Sequence, residues 1–147
     1  MEWSDVEAAA RRIHWGAFLA TANREGTPHL AFVSPGFAHQ RIWVVSDRDT
    51  RKVRNVSENP AVAMHWPVDP DDTNLQLLVE GRARLVTDET DKASLWALEP
   101  VPWRLADFYD GPADPKLVFI EIQPRHASLA QAFGEDFETW SSRDDAT

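Results

Sequence analysis

The residues with the clearest chemical potential are Thr50, Arg51 and Lys52, which follow the run Ile42-Trp43-Val44-Val45-Ser46-Asp47-Arg48-Asp49. Four large or β-branched residues from Ile42 to Val45 predict a buried strand that breaks at Ser46-Asp47. Thr50 then reads as a helix N-cap, with Arg51 and Lys52 as the first helical residues. The first N–H groups of a helix have no internal partner, and the helix dipole is positive there. A strand that delivers a hydroxyl, two cations and free N–H groups into one corner suits a phosphate. A second pattern is Gln76-Leu77-Leu78-Val79-Glu80-Gly81. A glutamine opening an apolar strand offers amide donors and an acceptor to the edge of a heterocycle. An exposed edge residue fits the same chemistry equally well.

Other chemistries find little in the chain. The five histidines (His14, His29, His39, His65, His126) show no HExxH or paired spacing, which argues against a metal site. Ser34, Ser46 and Ser57 lack a GxSxG setting. No GxGxxG or Walker A sequence occurs, so a bound nucleotide would be held by neither a Rossmann unit nor a P-loop. His29, His65 and Tyr109 are the candidates if a side chain acts as acid or base, although a structural role suits each of them better. Asp69, Asp71, Asp72, Glu135, Asp136 and Glu138 read as solvated loop groups.

Composition narrows the classes further. The chain has 147 residues and a hydrophobic fraction of 43%, which fits one domain with its own core. Net charge is −9, from 15 basic and 24 acidic residues, against the basic face that nucleic-acid binding requires. No apolar run approaches the roughly 20 residues that span a bilayer, and the first 20 residues do not resemble a signal peptide. With no cysteine there are no disulfides or thiolate sites, and the cytoplasm is the simplest compartment. Seven Trp and seven Phe read first as core and interface packing, with some at a dimer interface.

The elements that must position the corner follow from periodicity and turn chemistry. Ser4-Asp5-Val6-Glu7 reads as a capping box that opens a helix over 5–13, with Trp3 as a hydrophobic staple. Strands are expected over 17–22 and 28–33, joined by a turn at Asn23-Arg24-Glu25-Gly26. Residues 34–40 read as a loop before the strand at 42–45. A helix over 50–58 ends at Asn59-Pro60. Strands follow at 61–66 and 74–86, the second with a bulge or bend at Gly81. A helix over 88–98 stops at Glu99-Pro100, and 102–109 holds one or two helical turns. The last core strand is 117–122. Beyond Pro124, 126–133 reads as a weaker strand and Phe137 and Trp140 as docking anchors. The fold class is therefore mainly β (α+β): a closed or nearly closed barrel of six to seven mostly antiparallel strands with a few short helices. One domain over 1–140 precedes a polar, disordered tail over 141–147.

Several segments in this order carry a resemblance. They are Leu19-Ala20-Thr21, Gly26-Thr27-Pro28-His29, Trp43-Val44-Val45-Ser46, Thr50-Arg51-Lys52-Val53-Arg54-Asn55, Asn59-Pro60-Ala61-Val62-Ala63, and Gln76 five residues before Gly81. Together they resemble the pyridoxamine 5′-phosphate oxidase-like, split β-barrel flavin-binding family over roughly residues 15–125. Asp107-Phe108-Tyr109-Asp110-Gly111-Pro112 and Trp140 are similar to the small general-stress-type members.

The resemblance implies a cofactor site. In that family the strand here spanning Ala31, Phe32 and Val33 lies along the isoalloxazine ring, and Val45 and Ser46 flank the ribityl–phosphate region. Thr50, Arg51 and Lys52 bind the phosphate, and Gln76 approaches the ring system. The cofactor lies at the interface of a homodimer. The implied function is an FMN-binding oxidoreductase acting on a small molecule. The family also contains deazaflavin (F420) reductases and haem-binding members, and the Arg51-Lys52-x-Arg54 cluster suits FMN or the longer F420 tail. A non-catalytic flavin-binding stress-response module would use the same motifs. The chain departs from the oxidase itself, which has an arginine where Ala31 stands and a C-terminal Trp/Arg segment without a counterpart here. These departures argue against vitamin B6 oxidation.

Overall fold

The chain, described by a computed structural model over residues 1–69, 71, 74–131, 134 and 137–143, alternates short helices with strands of one sheet. In order these are α1 (Trp3–Ile13), β1 (Ala17–Ala22), β2 (Pro28–Val33), β3 (Gly36–Ala38), β4 (Arg41–Asp47) and α2 (Arg51–Glu58). Then come β5 (Ala61–Asp69), β6 (Leu75–Val86), α3 (Glu89–Leu98), a 3-10 turn (Leu105–Asp107), β7 (Leu117–Gln131) and β8 (Phe137–Ser141). The strand order is β2-β1-β5-β6-β7-β4-β3, with β8 also paired to β7. Every pairing is antiparallel, and the sheet does not close. The protein is thus the expected mainly β, antiparallel fold with few helices, opened rather than sealed.

Two apolar clusters explain why β4 reads as an unbroken hydrophobic run. Ile42 and Val44 enter the larger core with Val6 and Ala10 of α1, Val53 and Val56 of α2, and Leu19, Met64, Trp66, Leu77 and Val79 of the sheet. Trp43 and Val45 face a second cluster with Val86, Val101, Leu105, Leu117 and Phe119. β7 divides in the same way, with Val118, Ile120 and Ile122 in the first cluster and Leu117 and Phe119 in the second. Full burial of each such side chain contributes about 1.5–3 kcal/mol. The register from Ile42↔Ile122 to Asp47↔Leu117 is therefore strongly specified, because a one-residue slip would exchange the two faces.

The fold departs from the sequence reading in several places. β4 continues through Ser46 and Asp47, and β5 continues to Asp69, beyond its expected end at 66. α1 starts earlier: Glu2, not Ser4, is its N-cap, and the Glu2 backbone N–H donates to Asp5 Oδ2 at 2.7 Å. Trp3 consequently lies within the helix, buried against Phe37 and Trp140. The expected loop over 34–40 contains β3, returned to β4 by a two-residue turn in which His39 and Gln40 both take positive φ (54° and 58°). Pro124 does not end a strand. β7 runs through it because Pro124 falls opposite Gly81 at the bulge between Glu80 and Gly81, where no ladder N–H is required. Finally, residues 137–141 form a paired strand, and the Ser142 N–H donates to the Arg125 carbonyl at 2.8 Å. Among the described residues the sheet has eight strands rather than six to seven. Residues 70, 72 and 73, 132 and 133 of the expected strand, 135 and 136, 144–147 of the expected tail, and the side chains of Val68, Asp69 and Phe137 lie outside the description, and with them the readings of Asp69, Asp72, Glu135 and Asp136 as solvated groups.

Gly36 fixes how the segment after α3 approaches the sheet. A Cβ at Gly36 would lie 1.7 Å from the Pro100 carbonyl oxygen, whereas one at Gly111 would meet nothing within 4 Å. Gly36→Ala is therefore expected to destabilise by about 1–3 kcal/mol through overpacking. Gly111→Ala should stay within about 0.5 kcal/mol of the parent. Urea unfolding midpoints of the two variants check the contrast.

Candidate functional site

The anion corner forms where β4 leaves its buried pairing with β7. Ser46 Oγ and Thr50 Oγ1 lie 2.7 Å apart, and Thr50 Oγ1 also donates to the Asp47 carbonyl at 3.1 Å. Thr50 is the N-cap of α2, but its hydroxyl makes no capping hydrogen bond to the helix. The first helical bond runs from the Arg54 N–H to the Thr50 carbonyl at 3.1 Å, so the N–H groups of Arg51, Lys52 and Val53 precede the helical ladder. A Thr cap ordinarily accepts from one of them. Here the hydroxyl is turned to Ser46 and the Asp47 carbonyl instead.

Lys52 supplies the charge. Burial holds its ammonium below the ordinary lysine range, and the neighbouring Asp47 carboxylate acts in the opposite direction. Among the described residues it makes no hydrogen bond or ion pair. A cation that has lost water without gaining a partner gains most from an arriving anion. Arg51, by contrast, is exposed, and Arg54 Nη1 donates to the Asp49 carbonyl at 2.7 Å.

The corner opens into a groove of about 830 Å³. Val45, Ser46, Asp47, Thr50 and Lys52 form one part of its lining, and Trp15, Pro102, Trp103, Phe108 and Tyr109 form most of the rest. One hydrogen bond joins the two parts: Tyr109 Oη donates to Asp47 Oδ1 at 2.7 Å. The following loop is braced by Asp114, whose carboxylate accepts from the Asp110 and Lys116 N–H groups, both at 3.0 Å, and is held below the usual range mainly by them. The buried Lys92 donates to the Asp114 carbonyl at 2.8 Å. Trp103 is fixed by its indole N–H, which reaches the Ser34 carbonyl at 3.4 Å, and by Phe108, edge-on at 5.3 Å.

Four of the sequence-derived site residues line this groove: Val45, Ser46, Thr50 and Lys52. Ala31 packs against the larger core and Val33 is buried in it, while Phe32 points outward with its ring 5.3 Å from that of Trp15. The groove lining takes up Ser34, one residue beyond this strand. Gln76 lies elsewhere. It pairs with Ala130 near the far end of β7, whereas Val45 pairs with Phe119. Eleven strand positions separate them, a path of roughly 35 Å at about 3.3 Å per residue. Gln76 Oε1 is 3.1 Å from His65 Nε2.

Of the acid–base candidates, His65 is at that distant position and His29 has a buried Nδ1 without a partner. Only Tyr109 reaches the groove. Burial raises its pKa, and the Asp47 hydrogen bond and charge add to this, so its proton is held rather than exchanged. The geometry makes Tyr109 a positioning residue. Sequence reasoning missed Trp15, Asp47, Pro102, Trp103 and Phe108 as groove residues. Their one available signal was the clustering of aromatics at 103–109. Among the described residues no group of three or more His, Cys, Asp or Glu could hold a metal, and no helix is long and apolar enough to cross a membrane.

Comparisons with known proteins agree with this architecture. The sequence profile of a family described as Pyridoxamine 5′-phosphate oxidase matches residues 14–130. General stress protein 26 of Bacillus subtilis (strain 168) is 27% identical over 117 residues, covering 78% of each chain. A solved F420 reductase is 27% identical with a TM-score of 0.56, covering 80% of this chain and 90% of its own. A pyridoxamine 5′-phosphate oxidase-related, FMN binding protein from Nostoc punctiforme PCC 73102 shares the fold at 14% identity and a TM-score of 0.69, covering 97% and 98%.

The Tyr109–Asp47 bond makes two measurable demands. Tyr109→Phe should lower stability by about 1 kcal/mol, the value of a charge-assisted bond discounted for partial exposure. The folded chain keeps the Tyr109 proton above the ordinary tyrosine pKa of about 10, where the unfolded chain releases it. Stability from this group is thus complete below about pH 10 and falls as pH rises further. Because the chain has one tyrosine, its tyrosinate absorbance reports this residue alone. Native protein should titrate later than urea-unfolded protein, and the Phe variant should lose its share of the alkaline destabilisation.

Proposed function

The chain belongs to the pyridoxamine 5′-phosphate oxidase family, and from that premise we propose that it is a homodimeric FMN-binding oxidoreductase acting on a small molecule. The observation that carries the reading is Lys52: a half-buried ammonium with no hydrogen bond or ion pair among the described residues, beside a helix N-terminus without a side-chain cap, in the lining of a groove large enough for a cofactor. The FMN phosphate would be held by Lys52, the Thr50 and Ser46 hydroxyls and the N–H groups opening α2. Such a flavin supplies electron and hydride transfer. The chain's own residues bind its phosphate, orient it and limit water at the buried corner. Tyr109, clamped to Asp47, keeps the outer wall in place.

Dimerisation is supported by a surface that one chain leaves uncovered. Phe32, Phe18, His65 and Leu78 are directly opposite one another across β2, β1, β5 and β6, so they form one row on one face. Phe32 is 46% exposed, Phe18 41% and Leu78 37%. Gln76 projects to the same face as Leu78, two residues away. A second copy across this row would bury it and could bring the partner's glutamine toward a groove that the chain's own Gln76 does not reach.

A deazaflavin cofactor is the second reading, favoured by the likeness to the F420 reductase. The corner gives more support to FMN. Lys52 lines the groove while Arg51 is exposed and Arg54 is engaged by Asp49, a distribution suited to one compact phosphate. A stress-response module that binds flavin without turnover would show the same binding but no reduction of any acceptor.

Lys52→Ala is expected to weaken FMN binding about 10- to 100-fold, from loss of one charge-assisted contact. Arg51→Ala should cost less than about fivefold, as befits an exposed charge. Equilibrium titration of flavin fluorescence measures both, and unchanged affinity in Lys52→Ala removes the assignment. Phe18→Glu should shift the mass seen by light scattering from dimer to monomer. A parent chain that is already monomeric would refute the interface.

A further inference from the structure

The two parts of the groove differ in chemistry, and the difference bears on what binds beside the cofactor. The corner carries the charges. Among the groove-lining residues Lys52 is the one cation and Asp47 the one carboxylate, and Tyr109 remains protonated. The groove is therefore neutral before any ligand enters, and a phosphate at Lys52 makes it negative. The remaining lining is Trp15, Pro102, Trp103 and Phe108. Trp15 is 65% exposed and Phe108 71% exposed, so ring surface is available to a ligand rather than spent on the core.

Nearby cations do not compensate. Arg48 lies 3.8 Å from Asp49, Arg104 3.8 Å from Asp107 and Arg11 3.4 Å from Glu7. The smaller cavity that shares Trp15 and Pro102 with the groove contains Arg11, but also Glu99, and the Arg11 guanidinium rests 5.2 Å above the Phe37 ring. A second anionic ligand would meet the cofactor phosphate and Asp47 with Lys52 already engaged, while Arg51 and Arg54 lie outside the groove lining. Flat aromatic surface, in contrast, favours another ring by stacking or edge contact.

We infer that the aromatic part of the groove, built by Trp15, Pro102, Trp103 and Phe108, receives an uncharged planar ring compound as the second ligand and rejects phosphorylated and carboxylated ones. This rests on the reading that the corner holds the phosphate of a flavin, and it adds the substrate class to that reading. Trp103 is the central residue. Its ring is held from two sides, by Ser34 through the indole N–H and by Phe108 through the ring edge, so it offers a fixed surface rather than a mobile one.

The test uses one ring skeleton with three charges. FMN-loaded full-length protein is titrated by calorimetry with 2-naphthol, 2-naphthoate and 2-naphthyl phosphate at neutral pH. The neutral naphthol is expected to bind at least about tenfold more tightly than either anion. Trp103→Ala and Phe108→Ala should each weaken naphthol about 3- to 10-fold. Each should weaken naphthol binding by a larger factor than FMN binding, because the phosphate contacts at Ser46, Thr50 and Lys52 stay in place. Trp103→Phe, which keeps a ring while losing the bond to Ser34, should retain most of the naphthol affinity and guards against a folding defect in the alanine variant. Tighter binding of the phosphate ester overturns the inference. So does a loss of FMN rather than naphthol in Trp103→Ala, because the aromatic wall would then hold the flavin ring itself. If the chain binds no FMN, the flavin reading fails alone. The three probes are then applied to the Lys52→Ala chain, whose corner has lost its cation, and the same ranking upholds the aromatic subsite while its reversal overturns it.

Discussion

A strand covered on both faces can carry no unpaired charge until it ends, and β4 is such a strand. Between Ile42 and Val45 every side chain enters one of two apolar clusters, and the pairing with β7 saturates the backbone. Polar chemistry is thereby displaced to the strand's exit. Ser46, Asp47, Thr50 and Lys52 are crowded into the few residues after the last buried valine, and the free end of α2 begins there. The position of the corner is a consequence of core packing, and its reactivity is a consequence of the same burial. Lys52 is partly dehydrated because the strand that leads to it had to be.

The local part of this arrangement was legible from residue order. The cap position at Thr50, the span of α2 and the bulge at Gly81 follow from short-range chemistry, whereas β4 continues past its expected break and pairs Ser46 with Val118 and Asp47 with Leu117. What the Thr50 hydroxyl does was not legible. Its partners are Ser46 and the Asp47 carbonyl rather than the helix N–H groups, and only the turn geometry decides between them. Pro124 was misleading for a related reason. A proline is a poor strand residue unless a bulge removes the need for its N–H, and that bulge depends on a glycine 43 positions earlier in the chain. The placement of the aromatic wall beside the corner was not legible, although its residues cluster at 103–109. The Tyr109–Asp47 contact spans 62 residues and Trp103–Ser34 spans 69, so periodicity within any window carries no trace of either.

The acidic balance of the whole chain and the anion corner are compatible because they act at different ranges. Surface carboxylates are separated from Lys52 by salt and water, whose screening length is about 8 Å at physiological ionic strength. Within the groove the local charges count. Asp47 serves two purposes there: it limits the loss of charge at Lys52, and through Tyr109 it holds the outer wall. A more basic corner would bind anions more tightly and with less discrimination.

The wandering origin of the groove's walls has a consequence for how the protein comes to exist. Its lining is drawn from residues 15, 34, 45–52 and 102–109, and the β4–β7 pairing that supports the corner joins segments some 75 residues apart. Contacts of such long sequence separation close late, because the entropy of the intervening loop must be overcome before they are rewarded. β7 is also the neighbour of β4, β6 and β8 at once, so three pairings depend on one segment. The groove exists only once β4, β7 and the 102–109 segment have come together. A ligand that fits it meets nothing to bind in the earlier, partly ordered chain, and its occupancy marks the completed molecule.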